Sequence, residues 1–466
     1  MELTSVHLAS LVITIVIVIG SGIYSARKVH SAEGYSLAGR SSGATLIAGS
    51  IAGTVIGGGA TVGTAQMAYS LGFSAWWFTL GSGIGFIIMG LFYARPLRRT
   101  GLETIPQYLV LNYGKLAGPL SSVISSIGIL FSAVASCLPG IQIIAAIFGI
   151  TPWPAAIILM LLVAAYVFFG GMKGAGVAGI MKLIIIWITL FAAGGTAFFA
   201  LQDRPDLVMV FPAYPWLNLF GNGVWSGMGN LFSLIVGIIC TQTYVQAIFS
   251  ASDSRTAAVG AFAAALVVIP VGLPSIAIAM FMHAAHPAVL PILVLPIYLL
   301  QYPPAWLGGI GIAGIMLSLI GSIGGLALGI GTMVSKDLCY ELLHIKASST
   351  VLWVNRITVL FVIFIASVIA IVNLNSQVLG WNYMSMALRG GGIFLPLTLA
   401  IFIPGRLKPS WAITSMVLST IAAIVGALVL HLPIDPLFIG VVVSAVIIMM
   451  ALIQGGGRQM TLKHEM

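Results

Sequence analysis

The chain has 466 residues, of which 60% are apolar, only 6% are charged and 55 are glycine, with a mean hydropathy of +1.13. A soluble domain carries about a quarter of its residues as charges, so this composition excludes one and marks a polytopic membrane protein. The formal charge of +9, from 19 Lys and Arg against 10 Asp and Glu, would suggest nucleic acid in a soluble protein, but membrane topology accounts for it here and no nucleic acid partner is expected.

A hydrocarbon core about 30 Å thick needs about 20 apolar residues of helix. Dividing the chain at its polar and Pro/Gly breaks predicts an all-α protein with spans at 5–25, 44–70, 73–95, 117–148, 152–170, 175–201, 223–249, 257–282, 305–335, 350–373, 381–403, 409–430 and 433–453, thirteen in all. The first span lacks a basic n-region and has no small-residue cleavage site, so it reads as an anchor with the N-terminus outside. That orientation puts 16 of the 19 basic residues on the cytoplasmic side, including Arg27, Lys28, Arg98, Lys115, Lys336 and Arg406, and leaves the C-terminus cytoplasmic. Such a bias supports a multi-pass protein of the plasma (inner) membrane. The whole of 1–466 reads as one membrane transport domain, since no segment is polar or long enough for a separate soluble module.

The membrane interior limits the chemistry. The acids, among them Glu103, Asp203, Asp253, Asp337 and Asp435, all map to loops or helix ends, so a proton carrier of the carboxylate type has no agent. Neither a His/Asp/Glu cluster nor a phosphate loop with its lysine occurs, so an enzyme is not indicated. Cys137, Cys240 and Cys339 are too dispersed for a disulfide framework or a zinc site. His283 and His286 fall at an outer helix end, where a structural role is favoured over metal binding.

In the second span, Ile56-Gly57-Gly58-Gly59-Ala60-Thr61 places three adjacent glycines mid-membrane, each costing roughly 1 kcal/mol of helix propensity. The run either unwinds, freeing carbonyls for a cation and N–H groups for an anionic solute, or packs helices closely through small residues. In the ninth span Ser318, Gly321 and Ser322 sit at i, i+3 and i+4 and share one face.

These residues resemble the solute:sodium symporter family, which has the leucine-transporter-like inverted-repeat fold. The resemblance covers nearly the whole chain. It rests on Ile56 to Gly63 with Ala68-Tyr69-Ser-Leu-Gly72, on Thr104-Ile-Pro-Gln-Tyr-Leu to Tyr113-Gly114-Lys115, on Gly170-Gly171-Met172-Lys173, and on Gln242-x-x-x-Gln246 through Asp253. It implies two inverted five-helix repeats with discontinuous helices, 44–201 and 223–403, with 1–43 and 404–466 peripheral, and alternating access around a midplane site. It also implies a secondary active symporter, coupled to sodium and needing no other cofactor, whose partners are a small-molecule solute and the lipid bilayer.

Carried over residue by residue, the cation site takes backbone carbonyls of Gly53, Ile56 and Ser318 and side chains at 321 and 322. The family pattern on the ninth helix is A-x-x-S-[ST]; Gly321 breaks it and Ser322 keeps it. The family's D-x-x-Q on the sixth helix becomes Gly179-Ile-Met-Lys182, which removes an acid and introduces a lysine. A lysine near a helix centre costs roughly 2.5 to 3.5 kcal/mol, so Lys182 is a coupling candidate. Either its ammonium stands beside the weakened sodium site and replaces the ion, giving up a proton in each cycle, or it snorkels from about 12 Å of helix rise beyond Gly174 to water.

The resemblance puts the solute near Thr54, Val55, Gly57, Gly58 and Ala60, with Thr79 on the third helix and Thr241, Gln242 and Tyr244 on the seventh. Val55 and Ala60 stand where sugar and amino-acid carriers are polar, so a small organic anion such as a carboxylate fits better. Arg389, on the outer part of the eleventh helix, offers a planar fork for it; the other reading makes Arg389 interfacial. A sodium-independent or proton-linked carrier working through Lys182, and a transporter-like sensor, are the alternatives.

Overall fold

A computed structural model describes residues 3–26, 40–167, 171–345, 347–430 and 434–454, with an all-helical architecture. Arg27, Lys28 and Gly170 of the sequence reading, and the first residue of the expected thirteenth span, 433, lie outside the described residues. The side chains of 171–177, which include Met172 and Lys173, are likewise outside.

In chain order the main helices are α1 (Ser5–Ala26), α2 (Ala44–Val55), α3 (Thr64–Leu71), α4 (Trp77–Ile88), α5 (Ile105–Tyr113), α6 (Ala117–Phe148), α7 (Pro152–Val167), α8 (Gly171–Gln202) and α9 (Val224–Ile239). They continue with α10 (Gln242–Phe249), α11 (Ser254–Ala285), α12 (Val294–Gln301), α13 (Ala305–Met333), α14 (Ser348–Val372), α15 (Val378–Phe402), α16 (Pro409–Ile424) and α17 (Pro436–Ile453). Among the described residues nine helices are long and apolar enough to cross a membrane, or ten if α9 and α10, bent by 45° at their junction, form one span. The expected count of thirteen is therefore not met by length alone. The breaks explain part of this: α2 stops after 12 residues at the glycine run, and α7 is described over 16 residues, up to Val167.

Two departures from the sequence reading matter for function. The span expected to run unbroken over 223–249 is bent at Cys240–Thr241, and a short helix, α12, occupies a stretch expected to be loop. Broken α2–α3 and bent α9–α10 are the discontinuous helices of the expected fold.

The most deeply embedded helix is α13. It packs against α1, α6, α8, α14 and α2, and every residue from Gly311 to Met333 is buried. Small residues make this possible because helices without large side chains approach closely in a membrane. A methyl group at Gly324 would overlap Val167, and one at Gly309 would overlap Ser10. At one end of the bundle, Ser42 bridges Ala251, Arg98 Nε donates to the Ala251 carbonyl at 2.6 Å, and Lys336 pairs with Glu103 at 2.9 Å. At that end Thr104 caps α5 in a reciprocal capping box with Gln107 and donates to Asp337 at 2.7 Å. Tyr69 donates to the His286 carbonyl at 2.8 Å, and the His286 ring bonds the Tyr302 hydroxyl at 2.7 Å. His283 packs against Tyr69 and Trp216. The two histidines thus have structural partners, and among the described residues no group of three or more His, Cys, Asp or Glu could hold a metal.

Candidate functional site

The helix break falls where the glycine run placed it. Ile56 leaves helical geometry at φ −76°, ψ 76°, the Gly57 amide turns back to the Val55 carbonyl at 2.8 Å, and the Gly63 amide reaches the Gly58 carbonyl at 2.6 Å. The chain therefore re-enters helix through a wide π turn, Gly59–Gly63, and Thr61 Oγ1 closes it on the Gly57 carbonyl at 2.9 Å. Unwound backbone at this depth is tolerated where protein buries it or where it lines a cavity. Here it does both.

Two serines of α13 meet the break. Ser318 Oγ donates to the Ile56 carbonyl, and Ser322 Oγ donates to the Thr54 carbonyl. Gly57 has no room for a side chain, since a methyl there would overlap the Ser322 hydroxyl. Thr54 faces Gly325 in the same way, and Thr243 on α10 donates to the Gly325 carbonyl at 3.3 Å. The break of α2, the bend after α9 and the middle of α13 thus form one junction.

Lys182 belongs to it. Its side chain is 1% exposed, and Nζ donates to the Ser318 carbonyl at 3.2 Å. It does not snorkel: α8 passes so close to α2 that a methyl at Gly53 would lie 3.1 Å from the Gly179 Cα and 3.5 Å from Lys182 Cε. The stem is directed inward over these glycines, and a methyl at Gly321 would stand 2.6 Å from Nζ. Of the residues carried over as cation ligands, Ser318 and Gly321 meet the lysine ammonium and Gly53 its stem, while Ile56 and Ser322 join the same junction through the serine hydroxyl bonds.

Next to this junction is a small cavity of about 10 Å³, room for roughly one water. Thr54, Val55, Gly57, Gly58 and Tyr244, five of the residues assigned to the solute by resemblance, line it. Phe78, Ser132, Ser136, Asn382 and Met386 also line it and were not foreseen, although Ser132 and Ser136 sit at i, i+4 on α6 and carry a weak signal of a polar face. None of the lining residues is an acid.

Five expected contacts do not line it, Arg389 among them. Ala60 is buried within the π turn. Thr79 is turned toward α11, donating to the Ile269 carbonyl at 3.2 Å, and Thr241 Oγ1 folds back on the Gly237 carbonyl at 2.5 Å. Gln242 is a structural clip: its Oε1 accepts from the Ile105 amide at 2.9 Å and its Nε2 donates to the Glu103 carbonyl at 3.0 Å.

Arg389 is corrected in position. It lies mid-way along α15, is wholly buried, and so is not interfacial. Asn382, Met386 and Arg389 share one face of α15 at i, i+4 and i+7, and the first two line the cavity. Nη2 contacts the Met386 sulfur at 2.8 Å, while Nε and Nη1 have no hydrogen-bond partner among the described residues.

The model of the Sodium:solute symporter family matches residues 35–419. High affinity choline transporter 1 of Homo sapiens is 26% identical over 396 residues, covering 80% of this chain and 67% of that one. The Mus musculus protein of the same name is 27% identical over 414 residues, 82% of this chain and 70% of that one. Among solved structures, a Na+-coupled sialic acid symporter in a substrate-bound outward-open state superposes with a TM-score of 0.82 at 17% identity, covering 98% of this chain and 100% of that one. A nucleobase-cation-symport-1 family transporter in a closed conformation gives 0.59 at 10% identity, over 92% and 95%. At these identities the superpositions establish the fold.

Proposed function

The chain belongs to the sodium:solute symporter family, and we propose that it is a secondary transporter carrying a small organic anion across the bilayer by alternating access. The repeats 44–201 and 223–403 move around the cavity beneath the break in α2. Arg389 carries the choice of an anion. A guanidinium stays charged at any working pH, and a buried charge without a counter-charge is costly. Two of its nitrogens, Nε and Nη1, have no hydrogen-bond partner among the described residues, and it sits one helical turn from cavity-lining Met386. A carboxylate entering beside Met386 and Tyr244 supplies the missing charge through a bidentate pair. The cavity is small, so binding requires α15 and α6 to part. Sodium is the coupling ion named by the family.

A second reading takes choline as the solute, after the names of the relatives. Phe78 and Tyr244 favour it, because aromatic faces attract a quaternary ammonium. Two buried cations, Lys182 and Arg389, oppose it. Binding to the purified protein, followed by thermal unfolding with acetate, propionate, lactate, succinate and choline, separates the two. Stabilisation by a carboxylate and not by choline supports the anion reading, and the reverse favours choline.

A further inference from the structure

We infer that the Lys182 ammonium is a tethered cation standing in the place of sodium at the junction of α2 and α13, so that this junction binds no sodium ion. The inference refines the transporter reading and rests on it for its uptake measurement alone.

The family resemblance builds the ion's shell from five oxygen positions, and four are already altered. The Ile56 carbonyl already accepts from Ser318 Oγ, which leaves it one lone pair. Ser322 Oγ has its hydrogen committed to the Thr54 carbonyl, which fixes where its lone pairs point. The Ser318 carbonyl accepts from Lys182 Nζ at 3.2 Å. Position 321 has no side chain at all, and the volume its hydroxyl would occupy holds the ammonium, 2.6 Å from where a Cβ would be. A sodium ion, by analogy with other hard cations, needs several oxygens free to turn toward it. The residues present do not fit one.

Charge reaches the same conclusion as geometry. A second cation in a site closed to water would stand within a few ångströms of Nζ, where like charges interact strongly. Lys182 and Gly321 are thus complementary: the glycine makes the space, and the lysine fills it with the charge that sodium brings elsewhere in the family.

The test is a mutant cycle on the purified full-length protein, read by thermal unfolding in sodium chloride and in potassium chloride at matched ionic strength. Gly321→Ser alone should lower Tm, because the new side chain meets Nζ; in the Lys182→Ala background it should be neutral or stabilising. The double variant restores a hydroxyl at 321 and removes the resident charge, so it should gain a saturable sodium-specific rise in Tm that the unmodified protein lacks. A sodium-specific rise in the unmodified protein that Ser322→Ala abolishes would overturn the inference. So would a Gly321→Ser effect that is equal with and without the lysine. If Gly321→Ser does not fold, Lys182→Ala with Gly321 intact still decides: sodium affinity appearing or rising at least about tenfold supports the inference, and no change opposes it. None of these readouts needs a solute. Proteoliposomes that take up neither carboxylate nor choline would count against the transporter reading and leave the stability result standing.

Discussion

Gln242, the first residue of α10, holds the Ile105 amide with its side-chain oxygen at 2.9 Å and the Glu103 carbonyl with its side-chain nitrogen at 3.0 Å. The bend between α9 and α10 is thereby fastened to the start of α5, and a movement of one must be felt by the other. Gln242→Ala leaves a buried amide and a buried carbonyl unpaired and should cost about 1 to 3 kcal/mol, measured by chemical denaturation in detergent. Gln242→Glu keeps the acceptor for Ile105 and loses the donor to Glu103, so it should be no milder. A neutral Gln242→Ala would show that the clip carries no weight.

Replacing Arg389 separates function from stability. Arg389→Gln removes the bidentate partner of the solute, and hydrogen bonds to a charged group are worth about 1.5 to 3 kcal/mol, so carboxylate affinity should fall roughly 10- to 100-fold. Because the same change removes a buried charge without an acid beside it, Tm without solute should hold or rise. A variant that loses stability and keeps its affinity would make Arg389 structural.

Gly57 tolerates no side chain, since a methyl there overlaps the Ser322 hydroxyl. Gly57→Ala should therefore break the Ser322 to Thr54 bond and abolish uptake while the protein still reaches the membrane. The exposed turn at Gly405, also glycine but with nothing within 4 Å of an added Cβ, has φ +78°; Gly405→Asn, which suits that conformation, should leave uptake unchanged.

Asp253 gives a pH signature. It caps α11 by accepting from the Thr256 hydroxyl at 2.6 Å, and from the Thr256 and Arg255 amides at 2.9 and 2.8 Å. These bonds, the Thr256 hydroxyl first, hold its carboxyl below the usual carboxylate range. A depressed folded pKa means that the stabilisation is complete above the unfolded value of about 3.9 and is lost as pH falls below it. The Tm gap between the unmodified protein and Asp253→Ala should be constant from about pH 5 to pH 7 and shrink on further acidification. A gap that widens with acid contradicts this assignment.

What the sequence disclosed and what it hid have physical causes. The break at Ile56 to Gly58 is legible as one of two readings, because three glycines in mid-span either unwind or let helices pack closely, and the packing of Ser318 and Ser322 against the break is what decides. The bend at Cys240–Thr241 carries no glycine or proline; tertiary partners fix it, Gln242 on the α5 loop and Thr243 on α13. Counting residues along α8 puts Lys182 near a membrane face, yet its direction is set by the close passage of Gly53 and Gly179 and by the vacancy of a side chain at Gly321, which lie on three different helices. Arg389 was legible as an unusual charge and not as a buried one. Thr79 and Thr241 are polar, correctly placed along their helices, and spent on carbonyls of Ile269 and Gly237.

The most direct measurement is uptake of labelled carboxylates by proteoliposomes, with choline as competitor, in sodium medium and in potassium medium of equal ionic strength. Saturable uptake of a small carboxylate is expected, with which choline does not compete, which Arg389→Gln weakens roughly 10- to 100-fold, and whose response to sodium Ser322→Ala leaves unchanged. Uptake of choline in place of carboxylates, or carboxylate uptake that vanishes without sodium and is lost in Ser322→Ala, would contradict it.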